Sequence, residues 1–150
     1  MHALAKTLAL FVLTSSFAQA HYSIEVQDAY ARATPPSVTT SAVFATLHNH
    51  SDKEVVVMSA STERAGKVEL HTVEMEGDVM KMRQVPNFTI AAQQQLHLKP
   101  GADHIMLFNL DSPLKEGEVL SVELSLKEGD TLQFDAPVKK VMQGMKHHHH

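Results

Sequence analysis

Along most of the chain, apolar and polar residues alternate with the two-residue period of a β-strand. Between 119 and 126 the even positions Leu120, Val122, Leu124 and Leu126 are apolar, with Ser121, Glu123 and Ser125 between them. Alternating or β-rich runs predict strands over 23–32, 41–49, 53–61, 67–73, 79–85, 94–98, 104–110, 119–126 and 131–135. Turn signals separate them: Thr34-Pro35-Pro36, Asn49-His50-Ser51-Asp52, Glu76-Gly77-Asp78, Pro86-Asn87, Lys99-Pro100-Gly101 and Glu128-Gly129-Asp130. Short strands at regular spacing imply one all-β domain over residues 21–138, a sandwich or barrel. The competing reading is an α+β domain with one helix near 63–68, although no window after Ala20 keeps a long 3.6-residue period. Residues 139–150 carry no strand pattern and are expected to form a mobile Met/His-rich tail.

The first 20 residues break the pattern. Lys6 precedes a mostly apolar run over 7–17, and Ala18-Gln19-Ala20 follows it. That is the layout of a signal peptide cleaved after Ala20, and it implies an exported, periplasmic protein. The run is shorter than the ~20 residues needed to span a bilayer, so no stable membrane insertion is expected. No cysteine follows it, so no lipid anchor is expected.

Without Lys6 the chain carries 12 basic and 17 acidic side chains, which argues against a nucleic-acid partner. The absence of cysteine excludes thiol–disulfide exchange, a Cys nucleophile and a thiolate metal site. Eight Met and eleven His remain, and thioether and imidazole are soft and borderline metal ligands. No catalytic triad, Walker loop or Rossmann glycine pattern is recognisable, and no enzymatic activity is expected.

Four of these residues form a candidate site: His71, Met82, His104 and Met106. If Glu76-Gly77 centres the hairpin turn, His71 and Met82 face each other directly, with Cβ atoms ~5 Å apart. If Gly77-Asp78 centres it, they are diagonal neighbours on one face. A three-residue loop would change the facing. His104 and Met106 are two apart on a strand and share a face. The set suits Cu(I) better than Ca²⁺ or Mg²⁺, which take oxygen, or Zn²⁺, which rarely takes Met. It is neutral, and Met needs no deprotonation. Taken singly, Met80, Met82 and Met106 read better as core fillers, and His71 and His104 as partly buried histidines; it is the set that points to a metal.

The spacing itself is specific. Ten residues, Thr72 to Lys81, separate His71 from Met82, and twenty-one, Arg83 to Asp103, separate Met82 from His104, with Met106 two further on. This pattern resembles the periplasmic copper chaperone family PCuAC, whose motif is His, ten residues, Met, twenty-one residues, His, one residue, Met. Ala29-Tyr30-Ala31-Arg32-Ala33-Thr34-Pro35-Pro36 is similar to the family's early strand and turn, where Trp is common at the Tyr30 position. Some members carry Met directly after the first His, where this chain has Thr72. The resemblance implies a cupredoxin-like Greek-key β-barrel that carries Cu(I) in the periplasm towards cytochrome c oxidase assembly. It also implies a Sco-type copper chaperone or an oxidase subunit as acceptor; a monomer is expected.

Two further segments suit Cu(II). After cleavage His21 would offer a free amine beside its imidazole, and His147, His148, His149 and His150 end the chain as a tail or a tag. One rival reading is a copper mono-oxygenase that uses His21 together with His48, His50 or His97. A blue-copper carrier fails for lack of a Cys thiolate. A metal-free adhesive or structural sandwich is the third reading.

Overall fold

The computed structural model describes residues 23–140. The expected signal peptide, His21 and the His147–His150 run lie outside the described residues, as does all of the expected tail except residues 139 and 140. Among the described residues there is no helix, and therefore none long and apolar enough to cross a membrane.

Ten strands follow one another: β1 Ile24–Arg32, β2 Ser41–Asn49, β3 Val55–Ser61, β4 Ala65–Glu76, β5 Val79–Gln84, β6 Phe88–Ile90, β7 Gln95–Leu98, β8 His104–Leu110, β9 Val119–Leu126 and β10 Thr131–Lys139. They hydrogen-bond in the order β5-β4-β8-β2-β1-β10-β9-β3-β6, with β7 also on β2. Neighbours are antiparallel except β1 and β10, which run parallel through Ala31↔Val138 and Arg32↔Lys139. The sheet doubles over, so Val43, Leu70, Ile105 and Leu107 from one half meet Val57, Leu120, Val122 and Leu124 from the other in a single core. Alternation along the strands other than β5 is what fills that core from both sides.

Three differences from the sequence reading have local causes. β6 is only three residues long, lies just after Pro86-Asn87, and is too short to display a period. The segment near 63–68 forms a turn and the start of β4, because Val68 is needed in the core and Ala65 pairs with Leu110. β10 runs through Pro137 to Lys139, one residue past the expected domain boundary. Pro137 sits beside Val119 at the end of the β9 ladder, a position a strand tolerates.

The core uses only one face of β4, β8 and β2. Val68, Leu70, Ile105, Leu107 and Val43 point into it. The opposite face carries Glu69 and His71 on β4, His104 and Met106 on β8, and Ala42 and Phe44 on β2.

Candidate metal centre

β4 and β8 pair so that His71 faces His104 and Glu69 faces Met106. Both imidazoles are buried, His71 at 9% and His104 at 4% exposure, and their ring centres are 5.6 Å apart. An ion about 2 Å from one nitrogen of each ring fits within that separation.

The hydrogen bonds fix which nitrogen each ring offers. His104 Nδ1 lies 2.8 Å from the Ala102 carbonyl, which only accepts, so Nδ1 carries the proton and Nε2 keeps its lone pair. His71 Nε2 lies 2.7 Å from Glu69 Oε2, so it donates to that carboxylate and Nδ1 keeps the lone pair. His71 Nδ1 is buried without any protein partner. A buried unpaired acceptor is costly, and a metal ion would satisfy it. The donated proton from His71 Nε2, followed by the Lys67 ammonium, holds the Glu69 carboxyl below its ordinary range.

The loop before β8 delivers His104. Lys99 N–H bonds to the Asp103 carbonyl and Ala102 N–H to the Lys99 carbonyl, with Gly101 at φ +81 turning the chain. Thr72 donates its hydroxyl to Asp103 at 2.6 Å and so ties β4 to this loop.

Met106 is half-buried on the same face as His104. Met82 is 59% exposed on β5. The hairpin centres on Gly77-Asp78, with Gly77 at φ +64, so Met82 pairs with Val73 and His71 with Gln84. His71 and Met82 are therefore diagonal neighbours, and the direct-facing alternative does not occur. Met82, His104 and Met106 open together onto a cleft of roughly 450 Å³, which Met80 also lines. His71 does not line it and stands beside His104, against Phe108, with ring centres 5.9 Å apart. The far wall is Phe44, whose ring is tilted against Tyr30 with centres 5.1 Å apart and lies under the Arg32 guanidinium at 5.4 Å. Met80 and Met82 are exposed, so neither is a core filler.

Three contributors were not found from the sequence: Glu69, Phe44 and Met80. The signal for Glu69 was present, since a residue two before His71 on a strand must share its face.

Comparison with known proteins places the chain in a family. The family model described as "Putative lipoprotein LpqE-like" matches residues 24–138. The chain belongs to the LpqE-like family. This LpqE-like chain is 33% identical over 117 residues to "Putative lipoprotein Lxx21020" of Leifsonia xyli, spanning 77% of this chain and 69% of that protein. It is 28% identical over 106 residues to "Uncharacterized protein RP573" of Rickettsia prowazekii, spanning 70% of this chain but only 54% of that one. The solution structure of CuI-DR1885 from Deinococcus radiodurans is 35% identical and superposes with a TM-score of 0.65, covering 83% of this chain and 85% of that one. The copper-bound PCuAC domain from PmoF2 superposes with a TM-score of 0.68 over 79% of this chain and 94% of that domain. At 14% identity that likeness shows the fold, which is the cupredoxin-like fold that the family resemblance implies.

Proposed function

We propose that this protein is an exported copper carrier, not an enzyme, that takes Cu(I) at His71, Met82, His104 and Met106 and releases it by ligand exchange. The observation that carries the reading is the buried, partnerless Nδ1 of His71, beside a His104 whose Nε2 lone pair is left free, with two thioethers on the same face. Two neutral imidazoles and two thioethers are a soft set suited to Cu(I). The likeness to CuI-DR1885, at 35% identity, supports the same reading.

Exposure assigns the order of exchange. The two His are buried and anchored by second hydrogen bonds, whereas Met82 stands at the cleft mouth on an edge strand. An incoming thiolate or imidazole displaces Met82 first. The recipient we propose is a periplasmic Sco-type chaperone or a cytochrome c oxidase subunit.

Two measurements test the site. X-ray absorption on the Cu(I)-loaded protein should count two nitrogen and two sulfur neighbours. Competition against a Cu(I) chelator should rank affinity as wild type, then Met82→Ala, then His104→Ala. Equal affinity in all three proteins would place copper elsewhere.

A further inference from the structure

We propose a second metal site, for Cu(II), formed by Glu25, His48 and His50 at the far end of β2 from the cleft. One ligand atom from each of these side chains lies within 4.8 Å of the other two. Glu25 and His48 are direct cross-strand partners on β1 and β2, and the His48 and His50 rings lie 3.9 Å apart. His50 Nε2 contacts Glu25 Oε2 at 2.5 Å.

The backbone beneath these side chains is fixed. Asn49, between the two His, is fully buried, and its Nδ2 donates to the Lys53 and Ile90 carbonyls at 2.7 and 3.0 Å. His50 N–H donates to the Ser23 carbonyl at 2.7 Å. The two imidazoles thus leave a rigid turn on either side of a locked residue, and closing around an ion requires side-chain rotation only.

The donor chemistry differs from that of the cleft. Two imidazoles and a carboxylate offer nitrogen and oxygen and no sulfur, a set suited to borderline divalent ions. Among these the Irving–Williams order puts Cu(II) highest. His97 shares the face: its partner Thr46 lies two before His48 on β2, which puts His97 diagonal to His48, with its Nδ1 3.2 Å from the Thr46 hydroxyl oxygen. His48 lies four positions beyond Phe44 on β2, or about 13 Å of strand, so the two sites are separate.

The test is a Cu(II) chloride titration of the full ¹⁵N-labelled chain, read by paramagnetic loss of amide signals. Signals of Glu25, His48, His50 and Gln95 should vanish selectively. The double variant His48→Ala/His50→Ala, its fold checked by the undisturbed remainder of the spectrum, should keep them and bind Cu(II) at this site at least tenfold more weakly. If the loss is confined to the cleft or to residues outside 23–140, the proposal fails. It fails equally if signals near Glu25 still vanish in the double variant, because an ion held by residues before Ser23 would then account for them.

Discussion

At the scale of single residues, the site depends on proton placement. Glu69 is not itself a proposed metal ligand, yet by accepting the Nε2 proton of His71 it sets which nitrogen of that ring is free. Loss of such an outer partner commonly costs 10–100-fold in metal affinity. Glu69→Gln should therefore weaken Cu(I) binding by about tenfold in a chelator competition, with the ligand count in X-ray absorption unchanged. The two ligand truncations should also part company in metal-free stability. Met82 is mostly exposed, so Met82→Ala should leave the thermal midpoint nearly unchanged. His104 is 4% exposed and bonded to Ala102, so His104→Ala should cost about 1–3 kcal/mol in chemical denaturation. The four candidate ligands could be named from donor chemistry and from the family resemblance that their spacing carries. Their unequal burial could not, because it depends on Phe108 and Phe44 arriving from other parts of the chain.

At the scale of elements, the β4–β5 hairpin and the β2 terminus behave differently. All six residues of β5 are exposed, and the strand lies at an edge of the sheet. Its charged Lys81 and Arg83 discourage pairing with a second chain. Hydrogen exchange should be fastest at the amides of Val79–Gln84 and slow in β2 and β8, with Cu(I) slowing the hairpin through Met82. Equal protection of β5 with and without Cu(I) would remove Met82 from the ligand set. The turn after β2 is the opposite case. Asn49 satisfies several buried backbone groups, so Asn49→Ala should destabilise the fold by about 2–4 kcal/mol in urea titration. Several strand bounds, including those of β2, β8 and β9, follow from alternation. The hairpin register did not, because Glu76-Gly77 and Gly77-Asp78 are both plausible turn centres. Gly77 at positive φ in the first central position settles it.

At the scale of the whole molecule, Arg64 clamps the start of β4 to the β8–β9 connection. It donates to Asp111 at 2.8 Å, Glu118 at 2.7 Å and the Ser112 hydroxyl at 2.7 Å. These bonds hold both carboxyls below their ordinary values of 3.8 and 4.5. A carboxyl with a lowered folded pKa contributes stability above its ordinary value and loses it as pH falls through the lowered one. Arg64→Met should thus lower the thermal midpoint at neutral pH, and the gap from wild type should close as pH drops below 3.8. The all-β class was legible because most strands are long enough to display a period. The closure of β10 onto β1 was not, since a parallel pair between the ends of the domain leaves no local mark.

The division of β8 into a core face and a ligand face has a consequence for how such chains can diverge. Removing one residue within His104–Leu107 would turn Ile105 outward to the cleft and drive a ligand into the apolar interior. Insertions and deletions must therefore be absorbed outside the strands, and the interval between Met82 and His104 has that slack only in its connecting turns. The ligand spacing is inherited as a parity, odd or even along each strand, before it is inherited as a length.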